Sequence, residues 1–452
     1  MKKFLILTSL CVLSIRSWAA PVGSLKLEHS SYFSSGQPYF RPTADASASN
    51  FSANLNGHWF WRDFTFTIQA RDEFASAENW NYLSANELNV SYSFSANSSL
   101  TIGRKIYQWN EWEGVWKQGL FQPRYLYNKL YPETAGLTGA FFDFGDDAFK
   151  FTVGALLHHP DLGTHFFVRD HVFYSVNPWF NPPAKNFVYN SRLQDIRYSV
   201  AQPEALEVAN HPGFAAKMEW RQEDQLLRFS YAYKPMPQFL MSFAARNQVV
   251  IGSDVDYMRV RIEPRLLYHQ VFGLDYVGHE GVWTWSGSAA HEVPDAEVMR
   301  EGYMSQRSSP AWIYSAQISR PLEEEGPLAA RVSAGILKVI GGDERDEGDF
   351  SSEKTLFERR YQYNEALMIT LSKPVRRMLS APLDLKSRLI YDRLQNGAAL
   401  SLGAGAQLDR SFRVEFDIDF LGLLSREAAI KDNFFSSYRA NDRVGLGMSY
   451  VF

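Results

Sequence analysis

Charged side chains alternate with apolar ones in several short runs of this sequence. In one run the charged side carries Tyr257, Arg259, Arg261, Glu263 and Arg265, and the alternate positions are Met258, Val260 and Ile262. Because successive side chains of a β-strand point to opposite faces, such a run places all its charges on one face. A row of guanidinium and carboxylate groups can attract ions and polar solutes, or it can form ion pairs with neighbouring rows.

About nineteen stretches of the chain alternate in this way, which indicates strands of one all-β architecture. They begin near Leu25 to Phe33 and end near Val444 to Phe452. Aromatic residues make up 15% of the chain, with 33 Phe, 23 Tyr and 12 Trp, more than the core of a soluble domain needs. A large secreted β-sandwich or propeller is the alternative, but a propeller would show a repeat of roughly 40 to 50 residues, and none is found.

Strands in a membrane must form a closed sheet, because hydrocarbon leaves no partner for an unpaired backbone group. Their side chains then alternate between lipid and lumen, and single-chain bacterial barrels favour even strand numbers. We therefore predict a transmembrane antiparallel up-and-down β-barrel of about 18 strands, within a range of about 16 to 20.

On each strand, the alternate positions that carry charged side chains are expected to face the lumen, because charge on the lipid face is costly. The pore-lining candidates are Arg71, Lys217, Arg221, Arg228, Arg259, Arg261, Glu263, Arg265, Lys386, Arg388, Arg413, Glu415 and Asp417. These residues either line a water-filled channel with charged rows or pair with each other and brace the wall. The sequence leaves both interpretations open for each residue.

The N-terminal segment reads as a secretory signal peptide, residues 1–19. Lys2 and Lys3 precede an apolar run that is too short for a membrane helix, and Ser17 and Ala19 place small residues before a cleavage site near Ala19. Cleavage would leave residues 20–452 as the barrel. It would also remove Cys11, the only cysteine, and move the formal charge from −4 to −7, since the segment has three basic residues and no acidic one.

The last strand is the most specific pattern in the sequence. Apolar residues occupy every second position back from a terminal phenylalanine: Val444, Leu446, Met448, Tyr450 and Phe452. This pattern resembles the C-terminal signal of Gram-negative outer-membrane proteins, which the barrel-assembly machinery reads by strand addition. The resemblance implies a location in the cell outer membrane, with outer-membrane lipid and lipopolysaccharide as neighbours.

The alternating pattern is absent from three long segments, near 109–135, 158–212 and 341–360. The first two are rich in aromatic residues and proline, and we predict that at least one of them folds inward to narrow the pore. An external lid is the alternative. The third holds seven acidic residues against four basic ones and reads as a solvated external loop, with contact to divalent cations or lipopolysaccharide as a lesser alternative.

No catalytic set or cofactor motif stands out. His158, His159, Asp161 and His165 have metal-ligand residue types, but their spacing matches no zinc motif. No glycine-rich phosphate loop is present, and no serine has the context of a nucleophile elbow. We expect no enzyme activity, no cofactor, no metal and no nucleic-acid partner.

Part of the first long segment resembles large porin-like barrels. The resemblance covers Gly103-Arg104-Lys105, Trp109, Trp116, Gln122-Pro123-Arg124 and Gly136-Leu137-Thr138-Gly139, about a tenth of the chain. A more distant resemblance, to alginate-export barrels, rests only on size, strand count and the arginine-rich lumen parity; that family's fold has a positively charged pore.

The charged lumen positions predict a channel that passes small hydrophilic solutes by diffusion, and their arginine rows predict a weak preference for anions. Two alternatives remain open at this point. One is a dedicated channel or exporter for a saccharide or acidic polysaccharide. The other is a non-conducting barrel that presents adhesive or interaction loops.

Overall fold

The structure is a computed structural model of the 452-residue chain. It describes residues 22–33, 49–75, 80–164, 166–175, 177–181, 183–189, 191–201, 204–248, 257–296, 304–323, 330–342, 345–346, 359–378, 381–425, 433–439 and 441–452. The predicted signal peptide and most of the acidic segment 341–360 lie outside these residues.

Eighteen strands form one closed antiparallel barrel, which confirms the predicted fold and strand number. They are β1 (Val22–Phe33), β2 (Ser49–Trp61), β3 (Phe64–Ala75), β4 (Trp80–Ser95), β5 (Ser98–Lys105), β8 (Leu137–Gly145), β9 (Phe149–Leu157), β14 (Pro212–Gln222), β15 (Gln225–Pro235), β18 (Tyr268–Glu280), β19 (Trp283–Pro294), β21 (Ala311–Glu323), β22 (Ala330–Gly341), β24 (Glu365–Met378), β25 (Ala381–Asp392), β26 (Gly397–Gln407), β27 (Phe412–Leu423) and β28 (Asp442–Val451).

Further elements lie in the connections between barrel strands. The strands are β6 (Arg124–Tyr125), β7 (Glu133–Thr134), β10 (Phe167–Arg169), β11 (Val172–Tyr174), β12 (Asn186–Tyr189), β13 (Arg192–Val200), β16 (Leu240–Gln248), β17 (Tyr257–Arg265), β20 (Met304–Arg307) and β23 (Arg345–Asp346). The helices are α1 (Glu111–Trp116), α2 (Ala205–Ala209) and α3 (Phe434–Tyr438).

The first and last strands close the barrel. β1 pairs with β28 in antiparallel register, with Leu25 opposite Tyr450. Gly23 and Phe452 exchange two backbone hydrogen bonds of 3.1 and 3.0 Å. Closure leaves no free sheet edge in the barrel, as a strand structure in lipid requires.

The two ends of the barrel differ in the length of their connections. At one end, here called the turn end, short turns such as 62–63 and 223–224 join neighbouring strands. At the other, the loop end, segments 106–136, 158–211 and 236–267 connect the strands. In outer-membrane barrels the short turns are periplasmic and the long loops are extracellular.

The outward face of the wall is apolar, and aromatic side chains cluster at the turn end. Leu88, Ile102 and Ile336 are exposed on the wall. Near the turns, Trp61 stacks on Phe64, and Tyr450 lies 4.9 Å from Phe412, ring centre to ring centre. An apolar band that ends in an aromatic girdle matches a membrane-spanning wall.

In the described part of the chain, no helix has both the length and the apolar character needed to cross a membrane.

One predicted barrel strand lies outside the barrel. β17 pairs with β16 and, in parallel, with β13, within a six-stranded sheet in the order β12, β13, β17, β16, β20, β23. We call it the loop-end sheet, since the segments that form it leave and rejoin the barrel at that end. Its apolar face packs against other protein residues rather than lipid, so the alternating pattern predicted a strand correctly but not its location.

Candidate functional site

The connection from β5 to β8, residues 106–136, folds into the barrel. We call it the constriction loop. Its side chains Trp109, Trp112 and Phe121 are at most 1% exposed. The inward constriction predicted from the aromatic composition is therefore observed, and this loop forms it.

The constriction loop reaches several parts of the wall. The Trp116 indole donates to the Ser315 hydroxyl of β21 at 3.1 Å, and the Lys129 ammonium donates to the Tyr438 hydroxyl of α3 at 2.6 Å. Tyr131 donates to Asp419 of β27. The loop therefore spans the lumen.

Within the loop, capping contacts fix the short helix α1. The Asn110 side chain accepts a hydrogen bond from the Glu113 amide at 2.8 Å, as N-cap residues do. The buried Glu113 carboxylate accepts from the Phe121 and Gln122 amides at 3.0 and 3.4 Å. Burial raises the pKa of Glu113 to about 7, and these amide donors oppose the shift.

On one side of the lumen the constriction loop covers charged wall residues. Arg228 is 2% exposed and contacts Glu111 of the loop at 3.0 Å as well as Glu219 at 2.9 Å. Lys217 is bound to Glu219 at 2.8 Å and to the Gln108 carbonyl at 3.3 Å. Both predicted pore residues face inward, but the loop separates them from open space.

On the other side a cavity of about 590 Å³ remains between the loop and the wall. Its walls come from β1 to β4 and β25 to β28, and its inner side comes from the constriction loop. Six basic and six acidic side chains line it: Lys26, Arg71, Lys117, Lys386, Arg413 and Arg443, with Glu28, Glu73, Glu133, Asp384, Glu415 and Asp417. The lining therefore carries no net excess of either sign.

Most of these charges belong to one continuous chain of ion pairs. In order around the wall, its members are Asp384, Arg413, Glu415, Lys26, Glu28 and Arg71, and Arg71 ends on both Glu73 and Glu133. The nitrogen-to-oxygen separation is 2.9 Å for Arg413 to Asp384 and 2.7 Å for Lys26 to Glu415. For these residues, bracing of the wall is what the structure shows.

Glycines on the intervening strands let these side chains reach two strands away. Gly447 of β28 lies between Glu28 and Glu415 in register, and an added Cβ there would be 3.3 Å from the Lys26 chain. Gly405 of β26 lies in the same way between Asp384 and Glu415. Bare backbone at these positions keeps room for the ion pairs that cross β26 and β28.

Two lysines of the cavity lining form no ion pair within the described residues. Lys386 lies on β25 in register with Gly403 and Asp417. Lys117 follows α1 in the left-handed conformation, with φ of 50°, a region that costs energy for a residue with a Cβ. Burial lowers the pKa of the Lys117 ammonium, and the nearby Glu133 carboxylate opposes this shift.

The remaining candidates lie in three other places. Arg388 donates to the Leu130 carbonyl at 3.3 Å and lies 4.5 Å from the Tyr131 ring, so it holds the constriction loop. Arg221 is exposed at the turn end of β14. The four candidates of β17, namely Arg259, Arg261, Glu263 and Arg265, belong to the loop-end sheet and do not line the lumen, which corrects that part of the prediction.

Several lining residues were missing from the predicted set. Lys26 and Arg443 lie on the first and last strands at the parity opposite Leu25 and Val444, so the alternation rule could have found them. Lys117 had no such signal, because it lies in an irregular loop whose path no periodicity describes.

The histidine-rich segment forms no metal cluster in the described residues, where no group of three potential ligands comes together. Asp161 binds Arg124 at 2.8 Å. His158 is buried and His159 is partly buried, and this loss of solvent lowers their pKa values to about 3 and about 4. His165 lies outside the described residues.

No family model and no curated protein matches the chain. Among solved structures it is similar to OccK2 (OpdF) of Pseudomonas aeruginosa, with 13% identity and a TM-score of 0.49 over 97% of this chain and 99% of that one. It is also similar to Salmonella typhi OmpF in complex with daunomycin, with 10% identity and a TM-score of 0.42 over 96% and 97%. Likeness at this level carries no argument about what the chain transports, and the resemblance to alginate-export barrels stays a prediction.

Proposed function

We propose that the chain is a porin-like outer-membrane channel in which small hydrophilic solutes diffuse through the cavity beside the constriction loop. The observation that supports this most is the unequal filling of the lumen. Packed aromatic side chains occupy one side, whereas charged and amide side chains line an open space on the other. Water-filled lumens of this polarity suit hydrophilic solutes.

A weak preference for anions follows from the charges that remain outside the ion-pair chain. Paired groups of opposite sign largely cancel in their effect on a passing ion. Lys117 and Lys386 then act on the solute more strongly than the balanced count of six and six indicates. Asp417, which also lines the cavity, opposes them in part.

The test is ion conduction by the purified full chain in planar bilayers. Discrete conductance steps are expected, with a reversal potential under a salt gradient that indicates anion preference. In the double variant Lys117→Gln/Lys386→Gln, the anion-to-cation permeability ratio should fall by about two- to tenfold, since charged clefts concentrate counter-ions by about that much or more.

Lys338→Gln provides the matched control, because Lys338 lies on the outward face of β22, the face that also carries Ile336. Its permeability ratio should equal that of the unaltered chain. A complete absence of steps in every salt would refute the channel, and an unaltered ratio in the double variant would refute the role of the two lysines.

A further inference from the structure

The loop-end sheet has two unlike faces. One face is apolar and packs against Phe173 and Phe180. Its buried residues are Ile196, Tyr198, Phe243, Val260 and Ile262. Trp179, which precedes Phe180, is fully buried among lumen side chains such as Tyr32 and Phe434. The apolar face therefore packs against the segment that enters the lumen at Trp179, and the opposite face is turned away from that segment.

The opposite face carries a row of arginines across three adjacent strands. Arg259 of β17 lies in register with Arg197 of β13 on one side and with Arg246 of β16 on the other. Arg261 is two residues from Arg259 and shares its face. We call these four residues the arginine face.

Cations side by side across strands repel each other, so this row costs stability unless an anion lies on it. Arg197 is partly compensated by the Tyr257 ring, 3.8 Å away, and Arg261 by Glu263, at 2.9 Å. Within the described residues, no carboxylate forms an ion pair with Arg246 or Arg259. Both side chains are exposed.

Two apolar side chains adjoin the arginine face. Val188 and Leu193 are cross-strand partners on the same face as Arg197 and are 71% and 72% exposed. Asp195 lies between Leu193 and Arg197 on this face and accepts a hydrogen bond from the Asn186 amide at 2.7 Å. Guanidinium groups bind phosphate oxygens in a bidentate manner, so a surface of arginines beside apolar groups suits a phosphorylated amphiphile.

The position of the loop-end sheet indicates which phosphorylated amphiphile lies near it. In the chain, β16 directly follows β15, and β13, β17 and β20 precede β14, β18 and β21, so the sheet adjoins the loop end of the barrel. Outer-membrane barrels turn this end to the cell exterior, where the lipopolysaccharide leaflet lies. The arginine face is turned away from the segment that enters the lumen, so a solute in the channel does not meet it.

We propose that the arginine face binds the phosphate groups of the outer-leaflet glycolipid, lipopolysaccharide, that surrounds the barrel. Arg246 and Arg259, which have no carboxylate partner among the described residues, supply the guanidinium groups, and Val188 and Leu193 supply an adjoining apolar contact. The site is separate from the conduction path.

The experiment measures binding of purified lipopolysaccharide to the full chain in detergent, with Arg246→Gln/Arg259→Gln compared with Arg169→Gln/Arg393→Gln. The control arginines are exposed, at 78% and 63% for their side chains, and their loss changes the net charge equally. Binding should weaken about tenfold in the first variant, as lost charge-assisted bonds predict, and should stay unchanged in the control.

Two further arms identify the ligand. Lipopolysaccharide with its phosphates removed should bind as weakly to the unaltered chain as the intact glycolipid binds to the first variant, and inorganic phosphate should compete poorly. Equal weakening in both variants, unchanged binding without the phosphates, or strong competition by inorganic phosphate would each overturn the proposal. Conductance should be the same in all variants, so a failure here is distinguishable from a failure of the channel.

Discussion

Replacing Trp179 with alanine is expected to raise the single-channel conductance and to lower the free energy of unfolding by about 3–5 kcal/mol. Trp179 is fully buried, and its indole donates to the Tyr32 hydroxyl at 2.9 Å. It stacks on Phe434 at 6.1 Å and lies 5.4 Å from Tyr438, ring centre to ring centre. Its loss removes the largest side chain of this aromatic cluster.

The conductance should change because the cluster lies between the cavity and the loop end. Tyr32 follows Glu28, a cavity residue, by four positions along β1 towards that end. Removing the indole therefore widens the passage that a solute must cross to reach the long loops.

Trp179→Phe is the matched control, since it keeps a stacking ring and loses only the indole donor and some volume. Its conductance should stay close to that of the unaltered chain. Single-channel recording and urea unfolding in detergent measure the two effects. If Trp179→Ala destabilises the barrel without a change in conductance, the cluster does not lie on the conduction path.

Replacing Glu292 with alanine is expected to destabilise the barrel by about 3–5 kcal/mol and to loosen the constriction loop. The fully buried Glu292 accepts from His269 at 2.5 Å and from Arg360 at 3.2 Å, and Tyr361 also donates to it. Arg360 in turn donates to the Gly119 carbonyl of the constriction loop at 3.2 Å. Alanine would remove the Glu292 carboxylate from the buried Arg360 cation.

A loosened constriction loop should appear as frequent fluctuations of the open-channel current. Glu365→Ala is the control, because Glu365 also pairs with an arginine, Arg393, at 2.5 Å, but at an exposed position. Exposed ion pairs contribute little, so this variant should unfold and conduct like the unaltered chain. Equal unfolding of the two variants would contradict the role assigned to the buried carboxylate.

The sequence predicted the barrel well because its strands obey one rule along their whole length. Lipid on one face and a polar lumen on the other impose alternation at every position, as Val444, Leu446 and Met448 show on β28. The same alternation occurs in β17, where the apolar face meets Phe173 and Phe180 instead of lipid. Alternation therefore indicates that one face of a strand is apolar and covered, but it does not show whether lipid or protein covers that face.

The candidate site was harder to predict. Alternation along a strand shows that a side chain faces the lumen, but it does not show whether a loop covers that side chain. Arg228 and Arg413 both face inward, but the constriction loop covers only Arg228. The ion pair of Arg413 with Asp384 needs the register of β25, β26 and β27 together with the absence of a side chain at Gly405. Neither the register nor the path of a long loop follows from periodicity.

The most direct test of the conduction path is covalent block of the cavity. Lys117→Cys, made with Cys11→Ala so that it holds the only thiol, would be treated with a bulky thiol reagent during single-channel recording. Ala148→Cys, exposed at the turn between β8 and β9, is the control. If solutes pass beside the constriction loop, modification reduces the current at Lys117→Cys and leaves it unchanged at Ala148→Cys. An undiminished current after complete modification at position 117 would contradict that path.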